Sequence, residues 1–181
     1  HLHLKPGGEN GSSDVYSLGY VQNAIDGQVL AEIIPLEDAG PDPDPRFMLD
    51  KHKFPAGPNT RVDPQYPNYL LAAANGYVFY LDGKITVKCL LNVRQDISFQ
   101  TGNIFFVGDM AIHGSVRAGF SVQANNVRIM GMVEGGVVRA RRNLMIDGGV
   151  RGGAGQHSLV DAGGKLLSPF LEKVEARARD N

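Results

Sequence analysis

The sequence predicts an all-β protein in which a parallel β-helix, a single-stranded β-solenoid, follows a small β-domain. Three observations predict it. Glycine supplies 23 of the 181 residues, well above the usual roughly 7%, with no collagen-like triplet to account for it. Tryptophan is absent, and valine, isoleucine and phenylalanine provide the apolar bulk, a composition that suits strands. From Asn103 onward the chain also repeats itself, and a repeat outranks any local reading.

One recurring unit is apolar–x–apolar–x–Gly. It occurs as Met110-Ala111-Ile112-His113-Gly114, Val127-Arg128-Ile129-Met130-Gly131 and Leu144-Met145-Ile146-Asp147-Gly148. Its central isoleucines, Ile112, Ile129 and Ile146, are evenly spaced (129 − 112 = 146 − 129 = 17). A second unit, Val-x-Ala, occurs at Val122, Val138, Val160 and Val174. Its alanines, Ala124, Ala140, Ala162 and Ala176, are unevenly spaced (140 − 124 = 16, 162 − 140 = 22, 176 − 162 = 14). Polar or glycine pairs precede the first unit at Gly108-Asp109, Asn125-Asn126, Arg142-Asn143 and Gly164-Lys165.

Each unit reads as a short strand with alternate side chains on one side. A coil of about 17 residues holds two or three such strands. It cannot bury its inner face alone, but stacked coils can, pairing in parallel at about 4.8 Å. Val, Ile and Leu then fill the interior, alanine fits where a bend leaves little room, and the glycine closing the first unit is expected to supply positive φ. Gln123, Arg128, Arg139, Asp161 and Glu175 face outward. The long third interval coincides with Gly148–His157, which reads as a glycine-rich bulge from one bend. The tail Glu172–Asn181 reads as the start of another coil.

The remainder divides as follows. Residues 1–14 are rich in Gly, Pro and Ser and read as a flexible lead-in. The small β-domain spans 15–90 and the solenoid 91–181. Within the β-domain, Val29, Ala31 and Ile33 alternate with Leu30, Glu32 and Ile34 after a turn at Asp26-Gly27, so that strand is expected to be buried on both sides. Residues 37–68 carry seven prolines and read as a long loop with no regular helix or central strand. Strand signals resume at Tyr69–Ala73, Gly76–Leu81 and Lys84–Val87. The turns between them, Asn75-Gly76 and Asp82-Gly83, carry hairpin chemistry.

A net charge of −1 excludes a dominant electrostatic partner. Residues 1–100 carry 8 basic and 12 acidic side chains and residues 101–181 carry 10 and 7, so the sum −4 + 3 returns −1. The lone Cys89 excludes an internal disulfide, and a reducing cytoplasm is the simplest setting. No apolar run approaches the roughly 18 residues of a membrane span. The opening His1-Leu2-His3-Leu4, without an initiator Met, reads as part of something longer.

These residues resemble the FapA family, the flagellar assembly protein A family of bacteria. The resemblance is carried by Thr101–Ile104, Gly108–Val116, the Val-x-Ala repeats and Gly148-Gly149-Val150, and upstream by Gly27–Ala31 and Ala74–Val78, over roughly residues 20–176. It implies a right-handed parallel β-helix, a cytoplasmic setting and a scaffold or adaptor role in flagellar assembly or polar placement, through protein contacts. It implies no catalytic residues and no cofactor. Between Ala39 and Asp63 the chain departs from the family's Gly-rich connection, reading Gly40-Pro41-Asp42-Pro43-Asp44-Pro45.

Enzymatic readings find little footing in the residues. A hexapeptide-repeat acyltransferase or carbonic anhydrase is the alternative on a related solenoid. It requires a histidine base at a subunit interface or three histidines on zinc. His113 and His157 stand far apart in the chain, without ligand spacing (157 − 113 = 44), and no strict six-residue period is present. His1 and His3 alternate at the terminus, and Asp42 and Asp44 lie between prolines without a calcium-loop glycine. Glu134, Asp147 and Asp161 are scattered rather than paired as a glycosidase needs, and Phe120 and Phe170 are expected to cap or fill the interior. Arg128, Arg139, Arg141 and Arg142 offer a basic ridge but no stacking aromatics for nucleic acid. The expectation is a non-enzymatic protein with no catalytic, cofactor or metal site. Its expected partners are proteins or further copies of itself, since unpaired strand edges at a solenoid's two open ends invite further pairing and leave a homo-oligomer open.

Overall fold

The computed structural model describes residues 2–4, 22–45, 48–49 and 53–180. The flexible lead-in expected over 1–14 falls outside these, apart from a short strand at its start. The described residues form two compact units, one up to Cys89 and one from Leu90 onward.

The first unit contains β1 (Leu2–Leu4), β2 (Asn23–Ala24), β3 (Val29–Ile33), β4 (Thr60–Val62), β5 (Tyr69–Ala72), β6 (Gly76–Leu81) and β7 (Lys84–Lys88). They make two antiparallel sheets, ordered β1-β3-β5-β4 and β2-β6-β7. In β3 a register shift between Val29 and Ala31 lets the adjacent Leu30 and Ala31 both be buried, consistent with the two-sided burial expected. The Asp82-Gly83 hairpin is as expected, with φ of 51° and 71° at the two turn residues.

Two expectations need correction here. Asn75-Gly76 joins β5 to β6, which belong to different sheets, so it is no hairpin turn. Its residues serve other ends: the Asn75 side-chain oxygen accepts the Asp26 N–H at 2.9 Å, and a Cβ at Gly76 would lie 2.3 Å from the Lys88 carbonyl oxygen. The Pro-rich stretch contains β4, and a 3-10 turn at Leu36–Asp38 overlaps its start. Thr60–Val62 is a proline-free window between Pro58 and Pro64, and it occupies a sheet edge, where flanking prolines cost no ladder bonds.

The second unit is the solenoid. Its strands are β8 (Leu90–Val93), β9 (Ile104–Phe105), β10 (Asp109–Ile112), β11 (Ser121–Ala124), β12 (Val127–Ile129), β13 (Val133–Glu134), β14 (Val137–Ala140), β15 (Leu144–Ile146), β16 (Val150–Arg151), β17 (Ser158–Ala162), β18 (Leu166–Leu167), β19 (Leu171–Glu172) and β20 (Val174–Ala178). They stack in parallel as three sheets. The first is β8-β10-β12-β15-β18, the second β9-β11-β14-β17-β20 and the third β13-β16-β19. Bridges from Ile97 to Val116 and from Val116 to Val133 extend the third sheet down the stack. The described chain thus makes five coils, each passing the first, third and second sheet in turn.

The interior is a set of single-file columns. Leu91, Met110, Val127 and Leu144 form one, and Val93, Ile112, Ile129 and Ile146 the next. Val116, Val133 and Val150 line the third sheet, and Val122, Val138 and Val160 the second, all essentially without solvent exposure. Leu91, Met110, Val127, Leu144 and Leu166 are successive rungs of one column, and the steps between them are unequal (110 − 91 = 19, 127 − 110 = 17, 144 − 127 = 17, 166 − 144 = 22). The repeat therefore begins at Leu90, one coil before it becomes legible in the sequence.

Three details of the repeat differ from expectation. The glycines closing the first unit, Gly114, Gly131 and Gly148, do not have positive φ. They stack on one another at a corner, Gly131 donating to the Gly114 carbonyl and Gly148 to that of Gly131. A Cβ at Gly131 or Gly148 would lie 2.5 Å from the carbonyl oxygen of the glycine below, so crowding excludes a side chain. The bulge is also smaller than Gly148–His157, because Val150–Arg151 is a strand of the third sheet with Val150 fully buried. Only residues 152–157 leave the stack. Finally, Val160 pairs with Ala176 and Ala162 with Ala178, so Val174 stacks on Ser158 rather than on Val160. The tail completes the fifth coil, and its alanine spacing becomes 178 − 162 = 16. The two-residue slip preserves the inward face, because strand side chains alternate with period two.

The columns make two expected outcomes specific. Val138→Asp puts a carboxylate in a fully buried column, and loss of the β circular-dichroism signal and of the cooperative melt of residues 90–180 is expected. An unchanged melt would show the column to be misassigned. Gly148→Ala is expected to destabilise by roughly 1–3 kcal/mol through overpacking, measured by urea denaturation.

Candidate contact faces of the solenoid

Alternation along each strand projects every second side chain outward, and stacking places outward side chains of successive coils side by side. On the first sheet these are Asn92, Ala111, Arg128, Met145 and, by register, Leu167. Leu90, Met145 and Leu167 are 47%, 37% and 54% exposed. With Ala111 they give this face a groove of about 610 Å³. One border is a polar ladder. Asn126 donates to Asp109 at 2.9 Å, its own side-chain oxygen accepts the Asn143 N–H at 3.2 Å, and that of Asn143 accepts the Lys165 N–H at 3.1 Å. The polar pairs noted in the sequence are therefore a corner ladder satisfying backbone donors. Across the groove Arg128 pairs with Asp147 at 3.1 Å.

The corner between the first and third sheets carries a charged network. Asp96 accepts the Ser115 N–H at 2.7 Å and pairs with Arg117 at 2.6 Å. Arg117 also pairs with Glu134 in the next coil, and the Ser115 hydroxyl accepts the Met132 N–H at 3.0 Å. The Ser115 N–H bond holds the Asp96 carboxyl below its ordinary value. Partial burial opposes this and Arg117 reinforces it. The buried Ser158 hydroxyl similarly accepts from the Gly135 N–H at 2.8 Å and donates to the Arg151 carbonyl at 2.6 Å, closing the 152–157 excursion.

The second sheet presents Gln123, Arg139, Asp161 and Arg177 in register. A polar cleft of about 260 Å³ opens there, lined in part by Arg139, Arg141, Asp161, Gly163 and Arg179. Arg128 lies on the first sheet and Arg139 on the second, so these arginines do not form the one ridge considered from the sequence.

The other singled-out residues are dispersed. His113 is exposed after β10, and His157 is exposed in the excursion two coils higher, before β17. His1 lies outside the described residues, and His3 sits in β1 opposite Glu32. Asp42 and Asp44 lie in the stretch after the 3-10 turn, and no group of three or more His, Cys, Asp or Glu placed to hold a metal occurs among the described residues. Glu134 and Asp147 are taken up in cross-coil ion pairs. Phe120 is buried, with its ring edge-on to Phe99 at 5.1 Å, whereas Phe170 is 40% exposed. No helix among the described residues is long and apolar enough to cross a membrane.

A three-sheeted parallel solenoid with an apolar outer groove, ladders at its corners and dispersed titratable groups defines a repeat protein that presents surfaces. The family model of the Flagellar Assembly Protein A (FapA) β-solenoid domain matches residues 90–181, which carry every solenoid strand from β8 to β20. The chain belongs to the FapA family. The N-terminal β-unit, with Gly27–Ala31 and Ala74–Val78, lies outside the matched segment. Comparison with curated proteins found no match, and neither did comparison with solved structures.

The Asp96 network yields a pH dependence. Because the folded-state pKa is lowered, the native form holds fewer protons than the unfolded chain as the pH drops past the ordinary aspartate value of about 3.9. Its contribution is thus complete above that value and is lost as the pH falls through the folded pKa. Asp96→Ala is expected to cost about 1 kcal/mol at neutral pH, with the difference from wild type closing below about pH 4 in urea titrations. A pH-independent difference would exclude the carboxylate as its source.

Proposed function

We propose that this chain is a non-catalytic scaffold of the FapA type, serving flagellar assembly or polar placement in the cytoplasm through protein contacts. The observation that carries this reading is the groove on the first sheet. Its walls place Met145 and Leu167 in solvent on adjacent rungs, with exposed Leu90 at the groove's other end three rungs below Met145, along a stack held by parallel ladders. Contiguous exposed apolar surface of this kind marks an interaction site, and methionine adapts to varied partners. The groove also carries Lys165, for which the described residues supply no ion-pair partner. The fitting occupant is a peptide segment of a partner protein with apolar side chains and an acidic flank. Dispersal of the histidines and use of the carboxylates in cross-coil pairs support the non-catalytic part of the reading.

The test is capture from a lysate of a flagellated bacterium, with wild type and a Met145→Glu/Leu167→Asp double variant in parallel. Outward positions tolerate these changes, so the melt is expected to be preserved. Capture of a flagellar or pole-localised protein by wild type is expected, weakened roughly tenfold or more in the variant. Equal capture by both, or capture of no such protein by wild type, would contradict the reading.

A further inference from the structure

The second sheet's outer face carries a feature that scaffolding by the apolar groove does not use. The residues Ala140, Ala162 and Ala178 stack in register, so the next residues, Arg141, Gly163 and Arg179, share a corner column. Rungs are about 4.8 Å apart, which sets Arg141 and Arg179 about 9.6 Å apart along the stack. The rung between them bears no side chain. Glycine is compulsory there, because a Cβ at Gly163 would lie 2.0 Å from the Arg141 carbonyl oxygen. The Arg141 carbonyl thus takes the space of a Cβ, and no side chain projects from the rung between Arg141 and Arg179, both of which line the cleft. Arg139 and Asp161, adjacent on neighbouring rungs, line the same cleft, and its volume is about 260 Å³.

The electrostatics of this cleft are unbalanced. Arg139, Arg141 and Arg179 have no carboxylate partner within ion-pair distance among the described residues. By contrast Arg177, one position before Ala178, pairs with Glu175. Three guanidiniums against the single carboxylate of Asp161 leave +2 at the cleft (3 − 1). Like charges brought together on a sheet surface are destabilising, and guanidinium forks match the oxygens of phosphate groups. No aromatic side chain lines the cleft, so a base-stacking ligand finds no platform there.

We infer that this cleft, formed by Arg139, Arg141 and Arg179 around the side-chain-free rung at Gly163, is a binding site for a phosphate-type oxyanion. The phosphate is carried either by a small soluble molecule or by a phospholipid head group. Occupancy relieves the repulsion among the arginines, so binding and stability are linked.

The test uses the 181-residue chain with inorganic phosphate as the probe. Phosphate is expected to raise Tm saturably by a few degrees (roughly 2–5 °C) beyond chloride at matched ionic strength. It is also expected to bind with an affinity lowered roughly tenfold or more in Arg141→Gln and in Arg179→Gln. Both variants alter exposed side chains and should keep the wild-type circular dichroism. Arg142→Gln, next to the cleft but not lining it, is the control and should bind as wild type. Vesicles of phosphatidylglycerol, set against phosphatidylcholine, separate the two sources. Retention on the anionic vesicles that free phosphate displaces identifies a head group, and phosphate binding without retention identifies a soluble ligand. A phosphate effect no larger than that of chloride, or variants at Arg141 and Arg179 that bind as tightly as wild type, would overturn the assignment.

Discussion

Parallel stacking of one coil directly on another is the constraint from which the rest of this solenoid follows. An inward side chain in the stack is buried by its counterparts one rung below and one rung above, about 4.8 Å away. Each inward position therefore selects an apolar residue, and some columns repeat one residue type. Isoleucine sits on isoleucine at Ile112, Ile129 and Ile146, and valine on valine at Val116, Val133 and Val150. The same rule operates where the chain turns. Gly114, Gly131 and Gly148 lie so close that each carbonyl occupies the space a side chain above it would need. Asn126 and Asn143 pass hydrogen bonds up a corner from Asp109 to Lys165.

Sequence spacing exposes this rule only where coils have the same length. The two middle steps are equal, and they make the repeat visible from Met110 to Gly148. The first coil is hidden because Leu90-Leu91-Asn92-Val93 is followed by Arg94-Gln95 rather than by a residue and a glycine, and its Asp96 side chain accepts the Ser115 N–H as the Ser115 hydroxyl accepts the Met132 N–H one coil above. In the last coil the pattern slips by two, since Val174-Glu175-Ala176 copies the local pattern while the ladder stacks Ala176-Arg177-Ala178 on Val160-Asp161-Ala162. The repeat pattern puts the glycines at bends but misassigns their reason, because crowding from an adjacent rung is a tertiary effect. In the first unit, Thr60–Val62 is too short a window among prolines to show as a strand, and Asn75-Gly76 has hairpin chemistry without a hairpin.

The outer faces are the least legible part, although the coil period encodes them. Asp96 and Arg117 are separated by 21 in sequence, Arg117 and Glu134 by 17, and Arg128 and Asp147 by 19, each close to one coil. Acidic groups that look scattered along the chain thereby each lie beside an arginine of a neighbouring coil. Outward residues also sort by sheet: Arg128 belongs to an apolar face with Met145 and Leu167, whereas Arg139 belongs to a polar one with Asp161. The first face carries the apolar groove, and the second concentrates arginines that have no ion-pair partner among the described residues. One stack thus separates two chemistries by the direction in which its strands face.

Native-state hydrogen exchange tests the stacking account most directly. If the interior columns hold all three sheets together, the amides of Met110, Val127 and Leu144 in the first sheet, Val116 and Val133 in the third, and Val137 and Leu159 in the second share one high opening free energy and one dependence on denaturant. These amides donate across coils, so they report coil-to-coil bonds in every sheet. The account predicts that they exchange as a single cooperative group. Separate opening of one sheet while the other two stay protected would contradict it.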